Sequence, residues 1–72
     1  MKEYILKIKG MSCEHCRKTV ESALLSTRHV RNVVVDLEAS TAIVLSEDFM
    51  AGNLLVHAVE EAGYQVESVK ES

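Results

Sequence analysis

The chain has 72 residues, a net charge of −3 and an apolar fraction of 47%, drawn mainly from aliphatics because it holds one Phe, two Tyr and no Trp. That length supports a single domain, residues 1–72, close to the lower limit for folding without a staple, and the charge excludes a general affinity for nucleic acid. The absence of proline argues against a loop-rich scaffold or disordered linker, and no apolar run approaches the length needed for membrane insertion.

Tyr4, Leu6 and Ile8 alternate with Lys7 and Lys9, the pattern of a half-buried strand, and Gly10 ends it. Charge also breaks every apolar run before Gly10, leaving no core for a secretory signal. The chain as given is therefore expected in a reducing cytoplasm, where a cysteine pair is more often a thiol site than a structural disulfide. Cys16, Val20, Ala23, Leu24 and Thr27 recur at helical spacing, with Arg17, Lys18 and Glu21 on the opposite face. Ser12 is the expected N-cap, and Glu14 suits the first turn.

Val30 to Leu37 is β-branched and alternating, with Val33, Val35 and Leu37 on one face. Residues 38–41 form a short connection to a second strand, Ala42 to Ser46, making a hairpin. On that strand Ile43 and Leu45 compete with Ala42 and Val44 for the buried face. Ser46, Glu47 and Asp48 read as a helix start, after which Ala51, Leu54, Leu55, Ala58, Val59 and Ala62 form an amphipathic stripe. Gly63 is the expected left-handed stop, and Tyr64 to Val69 the last strand, with Val66 toward the core. The order β-α-β-β-α-β predicts an α+β, ferredoxin-like fold: a four-stranded antiparallel sheet with two helices on one face.

Charge divides unevenly along the chain. Residues 1–36 carry seven Lys/Arg against four acids, +3, while residues 37–72 carry Lys70 against seven acids, −6. This is either a solvated surface or a polar molecule that orients on a charged partner.

The chemistry lies in Gly10-Met11-Ser12-Cys13-Glu14-His15-Cys16. Two thiols at this spacing, entering a helix, can face one small ion. The helix N-terminus and its free N–H groups favour thiolate over thiol, and Arg17 and Lys18 add positive charge nearby. Two thiolates suit Cu(I), which tolerates low coordination; Zn(II) asks for about four ligands, and only His15 and Glu14 stand beside the cysteines. A thioredoxin-type redox dithiol needs a larger α/β domain with the motif after a buried parallel strand. Half of a shared metal site, or two cysteines without special function, also match the spacing. His15 is either an exposed residue at the helix start or a modulator of the thiols and an added ligand when two molecules share metal. His29 and His57 read as surface residues.

The Gly-Met-Ser-Cys-x-x-Cys run resembles the signature of the heavy-metal-associated domain family. Residues 30–37 resemble that family's second strand, and Glu61-Ala62-Gly63-Tyr64 resembles the end of its second helix. The family includes copper chaperones, modules of P-type metal-transporting ATPases and mercury carriers. The resemblance implies Cys13 and Cys16 as metal ligands, Met11 as a buried tether of the loop, and Tyr64 near the metal, as in bacterial copper chaperones. It implies a cytoplasmic Cu(I) carrier, not an enzyme, delivering to a P-type ATPase domain or a copper-sensing regulator. Ag(I), Hg(II), Zn(II) or Cd(II) are the alternative cargoes, and an excised ATPase module the alternative context. The chain reads as freestanding, monomeric without metal, with a metal-bridged dimer as a further expectation. Two positions depart from the family pattern: His29 stands where Gly is usual, and Ser46 where a large residue is common.

Overall fold

The structure, a computed structural model, describes residues 1–48 and 51–71. Its elements are β1 (Lys2–Lys9), α1 (Glu14–Leu25), β2 (Val30–Asp36), β3 (Thr41–Ser46), α2 (Gly52–Glu61) and β4 (Gln65–Glu71). The strands form one sheet in the order β2-β3-β1-β4, with every neighbouring pair antiparallel. This is the ferredoxin-like arrangement expected from the element order.

Alternation in β1 decides the layering. Tyr4, Leu6 and Ile8 turn inward and are buried, while Lys7 and Lys9 are exposed. Leu6 sits between Ala42 of β3 and Val69 of β4 in the register, so its side chain lies at the centre of the sheet's covered face. Val20 and Leu24 of α1, with Leu55 and Val59 of α2, close over it. Burial of each such aliphatic contributes roughly 1.5–3 kcal/mol, enough for a few of them to decide whether so small a core holds.

Pairing settles the face of β3 that its sequence left open. Ala42, Val44 and Ser46 are buried, and Ile43 faces outward opposite Ile5 and Val34. The alternation of β1 and β2 fixes this, since partners in register share a face. β2 buries Val33 and Val35 as expected, but it ends at Asp36, and Leu37 packs on the core from the turn. That turn is closed by Asp36 Oδ1, which accepts the Ala39 N–H at 3.2 Å, and Ser40 takes φ +56.

The helix starts differ from expectation. Cys13, not Ser12, is the N-cap of α1, and its side chain makes no capping hydrogen bond. Thr27 lies past the helix, where its hydroxyl donates to the Ala23 carbonyl at 3.1 Å. Ser46 belongs to β3, and α2 begins only at Gly52 after an Ala51 N-cap. Ser46 pairs with both Lys2 and Val30, and this cross-strand demand outweighs its local cap propensity. Of the α2 stripe, Leu55 and Val59 are buried, Ala58 is partly so, and Leu54 is exposed.

The end of α2 follows the sequence closely. Glu61 is the last helical residue, Ala62 is the C-cap, and Gly63 has φ +98. Gly63 N–H donates to Glu60 O at 3.0 Å and Tyr64 N–H to Val59 O at 3.2 Å, a Schellman closure. β4 then starts at Gln65, one residue later than expected, with Val66 half-buried against the core.

Both departures from the family pattern have structural content. His29 adopts φ +71, a conformation glycine takes without penalty. Ser46 Oγ is fully buried and finds no hydrogen-bond partner among the described residues.

Candidate metal centre

The loop between β1 and α1 is held from beneath. Met11 is 7% exposed and belongs to the core cluster, so the backbone on either side of it is anchored while Ser12 and Cys13 reach solvent. Cys13 then occupies the N-cap with extended dihedrals, and Cys16, three residues on, occupies the third helical position. These two places are the ones joined in a capping box, where the side chain of the third residue turns back toward the cap. The spacing therefore brings the sulfurs together for a backbone reason. They lie 3.4 Å apart, both free, with Cys13 exposed and Cys16 half-buried.

Cys16 is held ready to ionise. The Tyr64 hydroxyl donates to its sulfur, backbone N–H groups of Ser12 and Cys13 do the same, and the thiol falls from 9.0 to about 6. These donors favour the anion more than partial burial penalises it. The same hydrogen bond pushes the Tyr64 hydroxyl up, because losing its proton would forfeit the donation to that sulfur, and partial burial adds to the effect. Tyr64 comes from the far end of the chain, and the Schellman closure of α2 delivers it here.

The structure thus gathers Cys13, Cys16, Met11 and Tyr64 at one end of the sheet. Arg17 also stands here, but Glu14 and Glu21 hold its guanidinium, so its charge is largely answered within α1. Lys18 is exposed, as is His15. Among the described residues no group of three or more His, Cys, Asp and Glu side chains is arranged to hold an ion. His29 lies beyond the other end of β1, where its carbonyl accepts the Glu47 N–H, and exposed His57 on α2 pairs with Glu61 at 3.2 Å. Backbone donors at the helix start were expected from the sequence, but those that reach Cys16 belong to Ser12 and Cys13, just ahead of the first turn. Chemically, the arrangement offers two soft donors side by side, one already close to thiolate at neutral pH, the donor type that thiophilic ions select.

A βαββαβ domain carrying an exposed dithiol at the start of its first helix defines a class of small metal-binding modules. The profile of the heavy-metal-associated domain family matches residues 5–65, and the chain belongs to that family. The copper chaperone CopZ of Staphylococcus epidermidis is 37% identical over 67 residues, spanning 92% of this chain and 98% of the relative. Among solved structures, a CopZ metallochaperone superposes with a TM-score of 0.85 at 38% identity, covering 89% of this chain and 97% of its own. A copper binding domain from HMA7, a P-type ATPase, superposes with a TM-score of 0.93 at 26% identity, covering 100% and 99%.

Proposed function

We propose that this protein is a Cu(I) carrier that binds one ion between Cys13 and Cys16 and passes it to a metal-transporting P-type ATPase domain or a copper-sensing regulator. The observation that carries this reading is the pair of free thiols 3.4 Å apart at the N-terminus of α1. Similarity to copper chaperones over most of the chain supports copper as the cargo. Low coordination by two thiolates suits Cu(I), whereas Zn(II) would need ligands from outside the pair. Ag(I), Hg(II) and Cd(II) share the preference for thiolate and would compete.

Delivery requires no change of oxidation state. Thiolates of the acceptor replace Cys16 and Cys13 on the ion, and the protein returns to its dithiol form. The cargo leaves chemically unaltered, so we read the chain as a carrier and not as an enzyme. The whole of residues 1–72 serves as one such domain, working in the cytoplasm; no described helix is long and apolar enough to cross a membrane. A module of a larger ATPase is the second reading, favoured by the close superposition on the HMA7 domain.

The test is a competition titration of the reduced protein against a Cu(I) chelator. One equivalent should bind, and Cys13→Ser or Cys16→Ser should each lower affinity by orders of magnitude with the fold intact. Cu(I) should also displace Zn(II). Wild-type affinity in either serine variant would refute the ligand assignment.

A further inference from the structure

The helices cover one face of the sheet and leave the other open. Where one face of an antiparallel sheet meets water, its outward positions are ordinarily polar. Here the register lines up Val34, Ile43 and Ile5 across β2, β3 and β1 on the uncovered side. Leu45, two residues along β3, adds a fourth aliphatic on the same side. Val34 is 56% exposed and Ile43 36%, while Ile5 and Leu45 are half-exposed. Residues opposite one another in a sheet lie about 5 Å apart, so the row is continuous. A contiguous aliphatic row amid charged neighbours is what an interaction surface presents.

Charge says what fits it. On β1 the row is flanked by Glu3 on one side and Lys7 on the other, each two residues from Ile5 and on the same face. Neither forms an ion pair with another described residue. A second copy, turned over about an axis along the row, lays β1 antiparallel on its counterpart. The aliphatic rows then meet each other, and Glu3 of each copy meets Lys7 of the other. On β2 the same operation puts Asp36 beside Asn32 of the other copy, so Asp36 does not face an acid. Lys70, opposite Ile5 on the edge strand β4, meets itself, a repulsion its long chain relieves by turning the amine to water at the rim.

We propose that this face is a self-association surface: two copies stack sheet on sheet, strands antiparallel, into a two-fold dimer that forms without metal. The cysteine loops take no part in it. Each follows the end of β1, so the two-fold sends them to opposite ends of the pair, where both dithiols stay open for exchange. The surface is small. The two longer dimensions of the molecule, 31 and 20 Å, limit the face to roughly 600 Å² per copy, the low end for a specific interface. Association is therefore weak, with Kd on the order of 0.1 mM. Nothing in the proposal requires an ion, so it stands or falls apart from the functional reading.

Sedimentation equilibrium of the full chain, reduced and metal-free, tests this from about 10 µM to about 1 mM, a range that brackets so weak an interface. The parent should be mainly monomer at the lower limit and mainly dimer at the upper. Ile43→Glu sets two acids against each other at the centre and should stay monomeric throughout. Ile43→Thr keeps a β-branched side chain on the strand; it should weaken association, and it replaces the glutamate variant if circular dichroism shows that one unfolded. Glu3→Lys and Lys7→Glu should each raise Kd about tenfold, because one change alters both symmetric contacts. Glu3→Lys combined with Lys7→Glu restores complementarity and should return Kd to within about twofold of the parent. A parent still monomeric at the upper limit would overturn the proposal and leave the face to another kind of partner. So would a dimer indifferent to both changes at Ile43, or a doubly reversed variant as weak as the single ones. A dimer seen only with Cu(I) would overturn it too, since the metal would then be the bridge.

Discussion

Cys16 shows how much a single side chain can record about its surroundings. Its thiol titrates near 6 in the folded protein because the Tyr64 hydroxyl and two backbone N–H groups stabilise the anion, and these donors are dispersed on unfolding. A group whose folded value is depressed adds stability above its unfolded value and loses that contribution as pH falls through the folded one. The reduced apo protein should therefore resist urea best above about pH 9 and weaken progressively toward about pH 6. Cys16→Ser should flatten that dependence, and Tyr64→Phe should reduce it because it removes the largest contributor; urea melts at several pH values check both. Ser46 is the opposite case. Its hydroxyl is buried without a partner among the described residues, and such a group costs about 1–3 kcal/mol. Ser46→Ala should stabilise the fold by about 1 kcal/mol in a denaturant titration, since the methyl loses no hydrogen bond.

At the scale of an element, α1 both makes the site and sets its charge. Its N-terminus supplies the dithiol and the donors to Cys16, while its first turns tie up Arg17 between Glu14 and Glu21. The basic face suggested by Arg17 and Lys18 in sequence is thus reduced to Lys18 at the surface beside the metal loop. If an acidic acceptor is steered by this face, Lys18→Glu should slow Cu(I) transfer by ~2–5-fold at low salt, within the range of exposed charge pairs. Arg17→Glu makes the same change of two charges and leaves Glu14 and Glu21 unanswered, so it should slow transfer at least as much, and both effects should fade as ionic strength shortens the screening length to about 10 Å or less. Stopped-flow transfer at low and high salt, with affinity measured in parallel, separates these outcomes. Equal rates for Lys18→Glu and the parent at low salt would make the helix face a solvated surface only.

The whole molecule is small enough that its core has little reserve. A chain of 72 residues is expected to be stable by roughly 4–11 kcal/mol, and truncating a buried leucine costs about 2–5 kcal/mol. Leu55 is fully buried near the start of α2, at the opposite end of the helix from Tyr64. Leu55→Ala should lower the denaturation midpoint sharply, and added Cu(I) should recover part of the loss because the ion binds the folded site more tightly than the unfolded chain. Thermal melts with and without one equivalent of the ion measure this. The distribution of charge also changes at this scale. The division into a +3 half and a −6 half belongs to the sequence, but the sheet carries Glu60 and Glu61, at the end of α2, to the same end as Lys9 and the α1 N-terminus.

The sequence by itself determined the order of elements, the inward face of β1 and β2, the glycine stop of α2 and the cysteine pair at a helix start. Each is written in short-range periodicity or in a residue whose backbone freedom is distinctive, as at Gly63 with φ +98. The tertiary structure alone decided which face of β3 is buried, because alternation there is apolar on both sides and only pairing with β1 and β2 breaks the tie. It moved the start of α2 past Ser46, which two neighbouring strands claim, and it paired Arg17 with acids that a list of charges cannot locate. The resemblance placed Tyr64 near the metal, but its bond to Cys16 and the contact of its ring with Gly10 depend on a one-residue shift between the first and last strands. Contacts of that kind join residues about fifty positions apart, and local sequence carries no record of the register that brings them together.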